Sequence, residues 1–463
     1  MLDSVTGQAE KLAEELKRNK EIHIVTHIDA DGISAGAIAK KCLDREGIEN
    51  SIQFIKQLDN NTIEKIKDIG NLTWFTDLGS GVISKLDGLE YIITDHHMPD
   101  IEGGKKVMQW RHFNPHVYGI DGGKEISGAG LAYIVAMAIN KKNADMADLA
   151  IVGASGDLQD FVSCRLEGWN REIANLGKDM GILDVKNDIR AFGRQTRPVY
   201  KILQYADDPI LPGLTGRKGA CISFLRKLGI DLKDEKKWRK WIDLNQTERK
   251  KIISALVELL IKKGFGNAFS LRLVGEVYEL EKEEIGTELR DAKEYSTLLN
   301  STARYGHAEV GLKICMGDRS EYLKKAIALQ RNHRKNIANG IQFVKKEGIQ
   351  EYGILQYFNA GRNIRDTVVG IIAGIVLHSN QARNSSPIIG FADKENGDVK
   401  ASARTTVPLV NKGIDLSKAM HKVADRLGGT GGGHEIAAGA VIPRGKEDEF
   451  LEMLDKEIKN QLT

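Results

Sequence analysis

Glu21-Ile-His-Ile-Val-Thr-His-Ile-Asp-Ala-Asp-Gly32 decides how the rest of the chain is read. Its first six residues are rich in β-branched side chains, and the polar residues and glycine that follow are how a buried parallel strand ends before a turn. His27, Asp29 and Asp31 then lie at the strand's carboxyl end. Alternate residues of an extended segment face the same way, so these three side chains can converge. One such acid alone would be an ordinary helix cap or turn residue.

The pattern repeats outward from that stretch. Ser34 to Leu43 predicts a helix, Ser51 to Lys56 a second strand, Asn61 to Ile69 a second helix, and Leu72 to Thr76 a third strand that runs into Asp77-Leu78-Gly79. Glu90 to Thr94 predicts a fourth strand, running into Asp95-His96-His97, and Gly156-Asp157 closes a later helix. Strands alternating with helices predict an α/β fold with a doubly wound parallel sheet. Ligands of such sheets bind beyond the carboxyl ends of the strands, so the acids should share one crevice.

At 463 residues the chain is too long for one core, and three regions separate by character. Residues 1–190 carry the parallel sheet flanked by helices and all the clustered acids. Residues 191–304 read as a mainly helical insert or connector, and 305–463 as a smaller α/β domain with strands at Ala308 to Ile314, Tyr352 to Tyr357, Pro387 to Ala392 and Val399 to Ala403. The hydrophobic content of 41% is ample for globular folding. A net charge of +3 means that nucleic-acid affinity must come from local patches. Cys42, Cys164, Cys221 and Cys315 have no CxxC spacing and read as buried thiols in a reducing cytosol, neither a zinc site nor a disulfide frame. The opening Met1 to Val5 lacks a cleavable signal, and the longest apolar run, Val368 to Leu377, is too short to span a bilayer. The expectation is a cytoplasmic protein with no membrane association.

Several carboxylates with a histidine suit a pair of divalent cations about 3.5 to 4 Å apart, which stabilise the attacking and leaving oxygens of a phosphoryl displacement and lower the pKa of a bound water. His27, Asp29, Asp31, Asp77, His96 and Asp157 are the candidate ligands, and Asp77, from a neighbouring strand, is the natural bridge. Carboxylate with imidazole favours Mn2+, with Mg2+ as the alternative and zinc disfavoured without cysteine. His97 is the candidate to face a substrate phosphate. A histidine beside two cations is expected to be neutral.

HIDADG, TDLGSG, TDHH and GASGD, in that order and followed by Gly431-Gly432-Gly433-His434, resemble the DHH phosphoesterase superfamily with its associated C-terminal domain. Within it the chain is similar to the archaeal RecJ-like exonucleases, including the GINS-associated nucleases. Ser127 to Tyr133, Asp366 to Gly370 and Ser402-Ala403-Arg404 also look like family segments, so the likeness covers nearly the whole chain. It implies manganese-dependent stepwise hydrolysis of single-stranded RNA or DNA, with a GINS-type replication factor as a candidate partner. Carried over by position, Asp29, Asp31, Asp77, His96 and Asp157 fall on catalytic metal-ligand positions, Asp77 on the bridging one, and His97 near the substrate phosphate. The chain departs from the pattern at His27, often aspartate in bacterial RecJ. It departs again at Val25, where pyrophosphatase relatives carry histidine.

Leu427 to Gly439 is the second informative stretch. Its glycines let a backbone approach phosphate closely, and His434 adds a donor. The resemblance implies a loop here in which Gly432, Gly433 and His434 hold the strand end or scissile phosphate, across a cleft from the metals. Arg404 offers a fork suited to phosphate, with Arg362 and Asn363 in a glycine-bounded turn as weaker candidates. Asn114-Pro115-His116 is either a site-edge loop or an ordinary turn. In Lys236 to Trp241 the two tryptophans, at helical spacing, are expected to pack and the lysines to be solvated. Arg331, Arg334 and Lys335 are expected on a solvated helix face, and His23 in the core.

The leading expectation is an exonuclease producing mononucleotides, either polarity being open. A phosphodiesterase for short oligonucleotides or cyclic dinucleotides is the alternative within enzymes, and an inactive replication scaffold the alternative outside them. A pyrophosphatase fits least, because the histidine spacing is wrong. With 29 residues after His434, the added oligonucleotide-binding fold of bacterial RecJ is not expected, which tilts the reading slightly toward RNA.

Overall fold

The first sheet grows from the strand read first. The structure, a computed structural model, describes residues 6–100, 110–206, 208–377, 379 and 382–462, so the reading of Met1 to Val5 lies outside them. After helix α1 (Thr6–Arg18), β1 (Glu21–His27) is buried from Ile22 to Thr26 and leads into α2 (Ala30–Glu46). β2 (Glu49–Ile55), α3 (Asn60–Lys67), β3 (Leu72–Thr76), β4 (Tyr91–Thr94) and β5 (His112–Phe113) complete a five-stranded parallel sheet of order β2-β1-β3-β4-β5. Neighbouring side chains on each strand enter different cores: Ile24, Trp74 and Ile92 one, Val25, Phe75 and Ile93 another. A sheet covered on both faces explains why its strands are continuous apolar runs. Thr26 pairs with Thr76 and Thr76 with Thr94, so β1, β3 and β4 end level, at His27, Asp77 and Asp95.

Helices α4 (Gly128–Ile139) and α5 (Ala147–Gly156) are apolar almost all round and pack with α2 in the larger core. After α6 (Gly168–Asp179), β6 (Leu183–Ile189) leads out to a mainly helical insert: α7 (Val199–Gln204), α8 (Lys218–Lys227), the short hairpin β7 (Lys233–Asp234) and β8 (Lys237–Trp238), α9 (Gln246–Lys262) and α10 (Asn267–Leu271). The insert has its own core around Leu203, Leu225, Trp241, Leu256 and Leu260. β9 (Val274–Leu280) returns antiparallel along the whole of β6, so the insert leaves and re-enters at one place. There Arg194, 2% exposed, is clamped by Asp188 at 2.8 Å, Asp291 at 3.2 Å and Glu279. The Lys236 to Trp241 stretch is thus a hairpin end and not a helix. Trp241 is buried as expected, whereas Trp238 is half-buried against Tyr200.

α11 (Ala292–Ala303) and α12 (Ala308–Cys315) follow. Residues 308–314 were expected as a strand because Ala308, Val310, Leu312 and Ile314 alternate with other residues. They form a helix instead, because Gly311 and Cys315 complete a buried face and Glu309 and Lys313 share the exposed one.

The chain divides into two compact units, 1–327 and 328–463, with the boundary inside α13 (Glu321–Glu347). The second unit comprises β10 (Gln350–Tyr352), β11 (Leu355–Asn359), α14 (Asp366–Leu377), β12 (Ile388–Asp393), β13 (Val399–Arg404), α15 (Val407–Val410), α16 (Leu416–Arg426), β14 (Thr430–Gly433), β15 (Ala437–Ile442) and α17 (Glu447–Leu462). Its mixed sheet runs β10-β11-β12-β13-β15-β14. The single strand expected over Tyr352 to Tyr357 is broken by a turn at Gly353 (φ +57), where Asp455 accepts the Ile354 N–H at 2.8 Å. The glycine-dense segment, expected as a loop, is the edge strand β14, because Gly431 to Gly433 pair with Ala438 to Ala440. Among the described residues no helix is long and apolar enough to cross a membrane. Cys42, Cys221 and Cys315 are buried thiols, while Cys164 is half-exposed.

Candidate metal centre

Asp77 is the hinge of the site. It follows β3, is 1% exposed, and has a left-handed backbone (φ +60), which aspartate tolerates better than most residues. Its two oxygens face different histidines: Oδ2 lies 3.6 Å from His27 Nδ1 and Oδ1 lies 3.2 Å from His96 Nε2. His27, Asp29 and Asp77 bring ligand atoms within 4.8 Å of one another on one side, and Asp31, Asp77, His96 and Asp157 do so on the other. His27 Nδ1 is 2.9 Å from Asp29 Oδ2, and His96 Nε2 is 3.1 Å from Asp157 Oδ2 and 3.7 Å from Asp31 Oδ2. A third, overlapping group joins Asp77 and His96 to His97.

Local structure positions most of these side chains. Asp29 is the N-cap of α2, where one oxygen accepts from Gly32 at 3.0 Å. Asp31, in the first turn of α2, accepts from Gly128 at 2.7 Å and Ala129 at 3.0 Å, the start of α4, where helix N-termini favour anions. The approach needs glycine, because a Cβ on Gly128 would lie 2.6 Å from Asp77 Oδ1 and one on Gly153 would lie 2.3 Å from Asp31 Oδ1. Asp157 is the C-cap of α5. His96 Nδ1 donates to the Gly122 carbonyl at 2.6 Å, which leaves Nε2 for the acids. Asp95 lies 2.7 Å from His97 Nδ1 and accepts the Ser80 N–H at 2.8 Å, so His97 presents Nε2 outward.

Electrostatics in the pocket is set by burial and by the crowding of its carboxylates. Burial disfavours the His27 imidazolium, yet Asp29 and Asp77 outweigh it and push its pKa up to about 11. His96 is driven upward in the same way, against burial, by Asp157 and Asp77. Burial, then Asp77 and Asp157, push Asp31 well up although two N–H donors serve its charged form. Burial also raises Asp157, while in Asp77 the two histidines overcome burial and hold it low. His27 Nδ1, both Asp77 oxygens and His96 Nε2 are buried without hydrogen-bond geometry to any partner. Four crowded carboxylates and two histidines, with their central atoms unsatisfied, are a donor set that fits divalent cations.

Residues 191–274 match the DHH-CID domain family and residues 351–460 the DHHA1 domain family. An uncharacterised protein of Methanocaldococcus jannaschii is 32% identical over 448 residues, which span 95% of this chain and 94% of its own. The chain belongs to the DHH superfamily. Its fold is shared with RecJ of Thermus thermophilus, solved in complex with Mn2+, at a TM-score of 0.60 and 18% identity; the match covers 98% of this chain and 55% of that one, about half its length. Cdc45 of Entamoeba histolytica shares it at a TM-score of 0.67 and 14% identity, over 98% of this chain and 99% of that one.

In this DHH-superfamily chain several groups support the pocket, and Gln159, Asn300 and Arg304 among them escaped the sequence reading. Gln159, 3% exposed, donates to the Gly122 carbonyl at 2.9 Å and so holds the acceptor that orients His96. Asn114 donates to Ser80 Oγ at 2.9 Å and to the His97 carbonyl at 2.8 Å, while His116 Nε2 lies 3.1 Å from the His96 carbonyl. Asn114-Pro115-His116 is therefore a site-edge loop. Asn300 accepts the Ala30 N–H at 3.0 Å, and burial lowers the pKa of Arg304 while Asp29 opposes that shift. The four-residue spacing of Asn300 and Arg304 at one helix end was the available signal. His23 packs as expected, 2.8 Å from Ser51 Oγ, with burial lowering its pKa.

The second unit holds the remaining candidates. Arg404 ends β13 half-buried, donates to the Ala403 carbonyl at 2.8 Å, and lies so close to α14 that a Cβ on Gly370 would be 2.7 Å from its Nη2. On the same face of the sheet, Lys400 reaches to 2.8 Å from where Gly439 would carry a Cβ; burial and Lys394 lower its pKa. The sequence reading missed Lys400. Gly433 (φ +139) is set by its hairpin, since a Cβ there would lie 2.7 Å from the Ala437 carbonyl, whereas Gly432 has open space. His434 is exposed at the hairpin end, its N–H donating to Ala437 O at 2.9 Å. Arg362 is almost fully exposed, with Asp393 3.9 Å away.

Proposed function

We propose that the chain is a divalent-metal-dependent exonuclease that hydrolyses single-stranded nucleic acid stepwise to mononucleotides, Mn2+ being the expected ion and Mg2+ the alternative. The observation that carries this reading is Asp77, whose two oxygens are shared between two separate ligand groups. His27, Asp29 and Asp77 would hold one ion, and Asp31, Asp77, His96 and Asp157 the other. Bound there, the pair lowers the pKa of a water and stabilises the attacking and leaving oxygens of the phosphodiester.

The chain's own residues do the positioning. The Gly122 carbonyl fixes the tautomer of His96, and the start of α4 holds Asp31 in place. Asp95 keeps the Nδ1 proton of His97 so that Nε2 can face a phosphate oxygen. Arg404, His434 and the Gly432-Gly433 backbone supply N–H donors for the strand's phosphates, and Arg362 a weaker one. A scaffold of the Cdc45 fold that does not cleave is the second reading. The complete set of acids counts against it, because a scaffold has no use for a buried carboxylate such as Asp77 with both oxygens unsatisfied.

End-labelled single-stranded RNA and DNA of one sequence, incubated with Mn2+ and resolved over time, test the proposal. A ladder descending to mononucleotides is expected, RNA being cut somewhat faster. Long strands left intact while dinucleotides disappear would replace it with the short-oligonucleotide phosphodiesterase. No cleavage of any strand by manganese-loaded protein would sink both enzymatic readings.

A further inference from the structure

We infer that one end of the insert is a docking surface for the phosphate backbone of a single strand, separate from the metal centre. The inference rests on the nucleic-acid reading above for its substrate class, and goes beyond it in naming where the strand is held.

Charge is the first observation. Residues 217–263 hold fourteen Lys and Arg against six Asp and Glu, whereas the whole chain holds 67 against 64. The insert is therefore strongly basic on a chain whose remainder is acidic. Without a partner, such self-repulsion works against the fold.

The fold then gathers part of this charge at one end. Arg239 donates to the Asp231 carbonyl at 2.9 Å and to Glu248 at 2.7 Å, which ties the β7-β8 hairpin to the first turn of α9. A Cβ on Gly229, just past α8, would lie 3.9 Å from Lys251 Nζ, so the end of α8 meets the start of α9. Arg226, Lys227, Lys236, Lys237, Lys250 and Lys251 are all exposed at this junction. Among the described residues these six make no ion pair, while Glu248 and Glu258 are taken up by Arg239 and Lys262. Asp231, Asp234 and Glu235 are exposed in the same region and leave it net positive.

The surface favours nucleic acid over an acidic protein. Protein interfaces are anchored by exposed aromatic or large apolar side chains. Within 217–263 Ile261 is the one exposed large hydrophobic residue, and it lies at the far end of α9. Trp238 has one ring face under Lys233 Nζ at 4.9 Å and packs on Tyr200. Exposed cations without apolar anchors suit a regularly charged backbone, read without base preference.

The test compares the full-length protein with the variant Arg226→Gln, Lys227→Gln, Lys250→Gln, Lys251→Gln. Anisotropy of a labelled 20-nucleotide strand is followed without divalent metal over a series of salt concentrations, and manganese-dependent turnover of a dinucleotide is measured alongside. At least about tenfold weaker strand binding is expected, with the slope of log affinity against log salt shallower by about 0.7 for each phosphate no longer neutralised. Dinucleotide turnover should stay within about twofold. Unchanged strand affinity and slope would overturn the inference and leave an acidic protein as what the charge meets. An equal loss on the dinucleotide would also overturn it, since the residues would then be acting on the metal centre. Because binding is read without metal, its result does not depend on whether the metal centre hydrolyses anything.

Discussion

The acid pocket of the first unit and the arginine and glycine face of the second are built on opposite plans. In the pocket several candidates are braced: Asp29 and Asp31 by backbone N–H donors, His96 by Gly122 and His97 by Asp95, with Asp77 lying between two histidines. On the face, Arg362 and His434 are exposed, and Arg404 donates to its own strand and lies against the glycines of α14. A site for small, highly charged ions has to be preorganised, because burying carboxylates together is affordable only with cations or protons present. A surface for a long, flexible anion can wait for its ligand. Substitutions should then be drastic in the pocket and graded on the face.

Asp77→Ala should break the comparison hardest if it is wrong. Loss of at least about a thousandfold in cleavage is expected, about 4 kcal/mol of barrier, with strand affinity nearly unchanged. Turnover at a wild-type rate would show that Asp77 is no bridge.

A second test uses proton linkage. The carboxylates raise His27 to about 11 and His96 upward from its ordinary value, so cations binding there must displace protons. Apparent Mn2+ affinity, measured by titration calorimetry, should rise roughly tenfold or more between pH 6.5 and 8.5, with proton uptake by buffer. The metal-free protein should behave oppositely. Its raised His27 contributes stability that is complete below the ordinary pKa of 6.5 and is lost as pH climbs through about 11. Affinity that is flat with pH would place neither histidine at an ion.

On the other face, His434→Ala should lower kcat/KM about tenfold, with bound manganese and melting temperature unchanged. Loss of metal in that variant would mean the residue belongs to the pocket. Arg362→Ala should cost least, less than about threefold, since a side chain this exposed makes only weak ion pairs. A loss equal to that of His434 would show the face to be as preorganised as the pocket.

Much of this was legible in the residues. Asp29, Asp31, Asp77 and His96 announce themselves, because each lies just beyond a short apolar, β-branched or aromatic run that reads as a buried strand. Ala308 to Ile314 shows where the local pattern failed: a seven-residue alternation fits a strand as well as a helix, and packing of Gly311 against Ile33 decided it. Gly122 and Gln159 were missed because neither stands in a pattern of its own type.

What the sequence determined by itself is which side chains follow the strands and that together they make a donor set suited to metal, since apolar runs and the residues that stop them are local facts. Tertiary structure alone decided that β1, β3 and β4 end level, that one carboxylate lies between two histidines, and that part of the insert's charge gathers at one end. Those are matters of register and packing between segments far apart in the chain, and no window of residues contains them.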